Sequence, residues 1–352
     1  MQETGVVQDQ RTILYRLDLL EFSATAAAVT AVAGRTETAA AADDGLDHRN
    51  ERPDRMTYQK LGDRTKFNSS RLVFGCGAAL AGGKAVRLLD PAYEAGINLY
   101  DIGSNAYYKG SENAFAEFRA AHKDDIFVVS KAPIRAGRPP KFGEDVSAEY
   151  AKEAAKQWAD LLDQSLLDMK TDFIDAYYIM MVAHPGIVRL EEIYAEFERA
   201  RDAGKVKYFG ISTHQNAPEC LEAAIETGWY DLAMIAVTPS GWYDGISQRL
   251  LTDKPPLKDL RPLLDRAREA GMGLVGMKAA RAISVPNRAE ETIRTFDSYY
   301  SDKAISSPLN PFQRAYAYVL ENGLDVVNSD MQNFKHFEEN LIAARTSADV
   351  FA

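Results

Sequence analysis

Eight apolar runs of strand length recur between residues 72 and 328: Leu72–Cys76, Ile97–Ile102, Ile126–Ser130, Phe173–Val182, Val206–Ser212, Leu232–Thr238, Gly273–Met277 and Leu324–Asn328. Stretches of helical periodicity separate them, among them Val146–Met169, Glu191–Ala203 and Leu257–Ala270. Strands that alternate with helices pair in parallel, because each crossover helix returns the chain to the same end of the sheet. Eight such units predict closure into a (β/α)₈ barrel. A doubly wound open sheet is the competing architecture, but no GxGxxG follows any run and no Pro/Ser/Gly linker divides the series. Gly96, Gly204 and Gly271 stand where a helix must stop before the next strand, the place of a left-handed cap.

The length of 352 residues suits one barrel with a tail. Residues 56–346 are assigned to the barrel, 1–55 to a tail and 347–352 to a short C-terminal tail. Within the tail, Phe22–Gly34 carries no charge, and Arg11-Thr12-Ile13-Leu14 resembles the start of a twin-arginine signal with one arginine missing. Asp18 and Glu21 interrupt that pattern, and the uncharged stretch is too short to span a bilayer. The expectation is a disordered Ala-rich tail on a cytoplasmic protein, with a degenerate export signal as the alternative. Residues 56–76 read as a hairpin closing the bottom of the barrel. Residues 281–310 form a long excursion on the face where barrel active sites lie, either site-forming or solvated padding. A net charge of −10 disfavours a nucleic-acid partner, and no other segment suits a membrane. Cys76 and Cys220 lie far apart without a CxxC or a histidine cluster, so they read as core residues and no metal is expected.

Asp101 ends the second run and Lys131 follows the third, so adjacent strands bring the two together at the barrel mouth. A lysine at the end of a buried strand is costly unless paired, and Asp101 is its natural counter-ion; a purely structural ion pair is the alternative. Tyr107 and Tyr108 follow on the next loop. A phenol beside an ammonium group loses its proton more readily, so either tyrosine can act as a general acid toward a carbonyl oxygen, or simply pack.

The segments YQKLGDRTKFNSSRLVFG, AGINLYDIGSNAYYKGSEN, VVSKAP, GKVKYFGIST, GLVGMKAA and FEENLIAA, in this order over residues 56–346, resemble the aldo-keto reductase family. The resemblance implies a (β/α)₈ barrel and reversible NADPH-linked reduction of an aldehyde or ketone, with a small-molecule carbonyl or alcohol substrate. It implies catalytic roles for Asp101, Tyr107 and Lys131, with Tyr108 as runner-up to Tyr107. The family histidine at the end of the fourth strand is replaced by Met180, which cannot donate a hydrogen bond; His184, four residues on, either swings in or the site works without it. The resemblance gives Ser212 and Thr213 to the nicotinamide carboxamide, where a capping role is the alternative for Ser212. Met234 stands in the place of a glutamine. Met277 and Lys278 would meet the nicotinamide ring and the pyrophosphate, Lys278 alternatively being a solvated strand end. Gln332, Glu339 and Asn340 would lie at the adenine end, and a helix starting near Asn333 would aim its amides at phosphate. Asp330 places negative charge there, which weighs against the 2′-phosphate of NADP, so NAD is also open. Two other readings stand beside the reductase. One is a cofactor-binding barrel with little turnover, favoured by Met180, Met234 and Asp330. The other is a lyase or isomerase using Lys131 or Lys278 as a Schiff base. Trp242, Tyr243, Tyr299 and Tyr300 either line a substrate pocket or pack within loops.

Overall fold

The computed structural model of the chain describes residues 44–245, 247–251 and 254–352; the Ala-rich segment and its export motif lie outside these. A short antiparallel pair comes first, β1 (Tyr58–Lys60) against β2 (Asn68–Ser70). Then follow β3 (Leu72–Gly75), β4 (Leu99–Asp101), β5 (Phe127–Ala132), β6 (Ile174–Ile179), β7 (Val206–Thr213), β8 (Leu232–Thr238), β9 (Gly241–Asp244), β10 (Arg249–Leu250), β11 (Gly273–Met277) and β12 (Val326–Ser329). Strands β3 to β8, β11 and β12 pair in parallel, and β12 pairs with β3 while β7 pairs with β8, so the ring closes. This is the expected eight-stranded barrel. The small ribbon β9–β10 extends from β8 by antiparallel pairing and was not expected.

Helices cover the ring for ordinary reasons. The helix Ala148–Asp168 starts at Ser147, whose hydroxyl accepts the Tyr150 amide at 3.2 Å. Its buried residues Tyr150, Ala151, Ala154, Ala155, Trp158, Leu162 and Leu166 recur every three to four positions and face β5 and β6. The expected caps Gly96, Gly204 and Gly271 adopt φ of 86°, 74° and 83°. The hairpin seals the barrel bottom. Leu61 and Phe67 are fully buried, the Asp63 and Arg64 amides donate to the Gly271 carbonyl, and the Tyr208 hydroxyl donates to the Thr65 carbonyl at 2.7 Å. Gly62 is required in that turn. Its φ is +67°, and a Cβ there would stand 2.3 Å from the Gly273 nitrogen.

Three boundaries differ from expectation. Residues 44–55 belong to the barrel: Arg49 lies over the rings of Phe67 and Phe127 and bonds the buried Asp175 carboxylate at 2.9 Å. Residues 347–352 are not a tail, because the last helix runs from Phe334 to Phe351, with Ser347 bonded to Glu321 and Phe351 packed on Tyr300 and Tyr318. Strand β6 ends at Ile179, and Met181 adopts a left-handed φ of 58°, turning the chain over the mouth before Val182. The excursion 281–310 divides. Arg281 and Ser284 line the main cavity described below, whereas Ala289–Asp297 and Asp302–Ile305 are helices, anchored outside it where Asp297 holds Arg314 at 2.9 Å and Tyr300 packs on Tyr318. Trp242 packs in the core, and of the four loop aromatics only Tyr243 reaches that cavity. Cys76 and Cys220 are buried as expected. Among the described residues, no helix is long and apolar enough to cross a membrane.

Candidate functional site

A cleft of about 810 Å³ opens at the C-terminal ends of the strands. Its deep end holds Asp101, from the end of β4, and Lys131, from β5. Adjacent parallel registry brings them together: the Lys131 ammonium lies 2.5 Å from one Asp101 oxygen and donates to the Ile102 carbonyl at 2.5 Å. Both side chains are almost completely shielded from solvent. Burial raises the Asp101 carboxyl above its usual range, and the opposing charge of Lys131 is the largest influence holding it down. The second Asp101 oxygen accepts from the Asn328 amide of β12 at 2.5 Å. That amide's own oxygen is buried and has no partner among the described residues. Asn328 was not singled out from sequence. A polar residue within the apolar strand VVNS is the signal that could have found it, because a buried amide must be partnered.

The tyrosine beside Lys131 is Tyr108, with the ammonium 5.9 Å from its ring centroid. Tyr107, expected there, faces away: it is 38% exposed, touches Tyr108 edge-on and lines a second cavity. The physical reason is room. A Cβ at Gly103 would come 2.5 Å from the Tyr108 ring and one at Gly77 would come 2.9 Å from it, so two glycines leave the slot the ring fills. The short helix Asn105–Tyr108 that carries both tyrosines is pinned by buried Glu112, which accepts from the Asn105 amide at 3.0 Å and from the Ser130 hydroxyl at 2.6 Å. The phenol does not behave as proximity to an ammonium alone would suggest. Burial raises the Tyr108 phenol well above its ordinary value, and the Asp101 charge adds to the rise.

Met180 closes the deep end and borders both cavities. His184 does not swing into the main cleft. Its Nδ1 accepts the Gly186 amide at 3.0 Å, capping the turn Pro185–Val188, and the ring lies in the wall of the second cavity. Another imidazole is present instead. His214, the first residue after β7, lines the cleft, and its buried Nδ1 has no partner among the described residues. Burial, aided by the charge of Lys278, holds it neutral, its pKa pushed down to about 4. Thr213, the last residue of β7, points away from Ser212 by the strand's alternation; its hydroxyl donates to the Gln215 carbonyl at 3.2 Å, and it is not part of the cleft wall.

Ser212, Met234, Met277 and Lys278 line the middle of the cleft, and Gln332, Glu339 and Asn340 its far end. Lys278 sits at a left-handed φ of 69°. Burial lowers its ammonium and the charge of Asp330 opposes that. The helix Phe334–Phe351 begins at the cleft, capped by Asn333, whose side-chain oxygen accepts the His336 amide at 2.9 Å. Asn340 donates to the Ser329 hydroxyl at 2.6 Å, and Asn310 to Glu339 at 3.2 Å. A long groove with a buried ion pair at one end, a lysine midway, and a helix start with Asn and Glu side chains at the other fits an extended dinucleotide. Gly75 lets Asn328 pack close, since a Cβ there would meet the amide oxygen, and that oxygen, unpartnered among the described residues in the cleft lining, is an acceptor a ligand amide could use.

A family profile described as the aldo/keto reductase family matches residues 73–351. The chain is 31% identical over 163 residues to an uncharacterized oxidoreductase, YqkF, of Bacillus subtilis, a match covering 45% of this chain and 49% of that protein. It is 30% identical over 132 residues to norsolorinic acid reductase stcV of Emericella nidulans, covering 36% and 33% respectively. The chain thus spans about half or less of these two relatives. Its fold is similar to that of the thermostable aldo-keto reductase Tm1743, with a TM-score of 0.58 and 19% identity over 82% of this chain and 94% of that one. Closed parallel ring, strand-end ion pair and family profile agree: the chain belongs to the aldo/keto reductase family.

Proposed function

We propose that the protein reversibly reduces an aldehyde or ketone to the alcohol, with a nicotinamide dinucleotide along the cleft. NADPH is the first choice and NADH remains open, since Asp330 stands at the end where a 2′-phosphate would lie. The observation that carries the reading is the Tyr108 ring held over Lys131, itself paired to Asp101. Ser212 and Asn328 would hold the nicotinamide end, Met277 its ring face, Lys278 the phosphates, and Gln332, Glu339 and Asn340 the adenosine end. When bound, the dinucleotide supplies the hydride. Tyr108 gives its proton to the carbonyl oxygen, and Lys131, anchored by Asp101, stabilises the phenolate that remains. The test is titration with each nucleotide followed by turnover on a panel of aldehydes and ketones. Turnover with neither nucleotide overturns the reading. Tight binding with no turnover favours the second reading, a binding barrel, for which Met180 and Met234 in place of hydrogen-bond donors are the specific observation.

The raised Tyr108 phenol sets the pH behaviour. Its protonated form, the proton donor, persists throughout the neutral range, so the reduction rate is flat between about pH 6 and 8.5. Alcohol oxidation needs the phenolate as base, whose share grows about tenfold per pH unit below the phenol's pKa. Oxidation therefore climbs steadily across the same interval. Rate profiles in both directions check this, and a parallel fall of both with pH refutes it.

Met180→His restores a donor at the mouth of β6. The expected gain in reduction turnover is about tenfold, a part of the ~10²–10³ such a donor is worth when fully aligned. An unchanged or lower kcat means that the deep end is adapted to the thioether, with His214 as the group that faces the substrate.

A further inference from the structure

Beyond the main cleft, and sharing among the described residues only Met180 with it, lies a second cavity of about 600 Å³. The loops after β5 and β6 enclose it, with Ile134, Pro140, Phe142, Val182 and Ile187 supplying apolar walls. One polar atom in it is unmet. His184 is 93% buried and its Nε2 has no partner among the described residues. Because Nδ1 accepts the Gly186 amide at 3.0 Å, the ring's proton is on Nε2, so a buried N–H donor stands in the cavity wall. The donor is held there by design of the backbone: a Cβ at Gly186 would come 2.9 Å from the imidazole, and Phe142 meets the ring edge-on at 6.3 Å. Buried donors without partners are rare in folded proteins, and one in the wall of a cavity that Arg135, Lys141, Gln215 and Asn216 also line asks for an acceptor that arrives with a ligand.

We infer that this cavity takes the distal half of the substrate, and that the substrates are elongated aromatic carbonyl compounds carrying a hydrogen-bond acceptor at the end remote from the carbonyl. This rests on the reductase reading above. The reacting carbonyl sits by Tyr108, the aromatic body passes Met180, and the remote acceptor takes the proton-bearing Nε2 of His184. Met180, which lines both cavities, suits that passage, because an unbranched polarisable thioether packs against a ring edge.

The test compares 6-methoxy-2-naphthaldehyde with 6-ethyl-2-naphthaldehyde, which are alike in shape and differ in the acceptor oxygen, and uses propanal as a short control. Wild-type protein is expected to show a KM about tenfold lower for the methoxy compound, the worth of one buried hydrogen bond. His184→Phe abolishes that preference while leaving propanal turnover unchanged. Ile134→Trp, which fills the cavity, raises KM for both naphthaldehydes at least tenfold with propanal unaffected. Equal KM values in the wild type, or a preference that survives in His184→Phe, overturn the inference. If no carbonyl compound is turned over, the reductase reading fails. Direct titration of the methoxy compound by its own fluorescence then decides the cavity: binding lost in His184→Phe supports the inference, and no binding to the wild type overturns it.

Discussion

Tyr108→Phe lowers the rate of aldehyde reduction by about 10³-fold and leaves nucleotide affinity within about twofold, while Tyr107→Phe changes the rate by less than about fivefold. The size follows from removing a general acid, typically worth 10²–10⁴. The assignment follows from position: Tyr108 fills the slot between Gly77 and Gly103 beside Lys131, whereas Tyr107 looks into the second cavity. Nucleotide affinity is spared because the phenyl ring still fills the slot and only the hydroxyl is lost. Turnover followed by loss of reduced-nicotinamide absorbance, with nucleotide binding measured by fluorescence quenching, separates the two variants. Equal losses in both, or a larger loss in Tyr107→Phe, would return the proton to Tyr107.

Asp101→Leu destabilises the protein by about 3–5 kcal/mol, the usual cost of leaving one partner of a buried ion pair uncompensated. Lys131 keeps the Ile102 carbonyl, and the Asn328 amide loses its carboxylate acceptor and is left with the weak Met234 sulfur at 3.8 Å. Replacing both charges, Asp101→Leu with Lys131→Met, recovers most of this, because a shielded pair exchanged for apolar side chains is often neutral or better. Urea unfolding of the three proteins at pH 7 checks the cycle, and a single-variant cost below about 1 kcal/mol would mean that water reaches the pair. The same variants report on function. The double variant regains stability without regaining turnover, so its ring is intact while its chemistry is absent.

The ring is legible in the sequence because its signal is redundant. Eight apolar runs, their spacing and three cap glycines all say the same thing, and a mistake in one boundary leaves the topology unchanged. Asp101 and Lys131 are legible too, since strand ends on neighbouring staves converge in any closed parallel barrel. What fails is local. Tyr107 and Tyr108 are chemically identical neighbours, and the choice depends on the slot left by Gly77, which the chain order puts 31 positions away. Thr213 turns away from the cleft by the alternation of β7, and His214 reaches the cleft from the bend that follows the strand, where no periodicity places a side chain. His184 is held by the amide of Gly186 within its own turn, a two-residue interaction that no periodicity reveals. Residues 44–55 look like tail because they lack an apolar pattern, yet Arg49 secures them by cationic contact with two rings and a carboxylate rather than by burial of alkyl groups.

The Asp101 carboxylate is shared between Lys131 and Asn328, residues that lie 30 and 227 positions away along the chain. Its two grips therefore come from the opening third of the barrel and from its last stave. A chain still emerging, or one that has lost its final strand, possesses the phenol and the ammonium but lacks the clasp that completes their anchor. The anchor is thus complete only once the last stave has closed the ring.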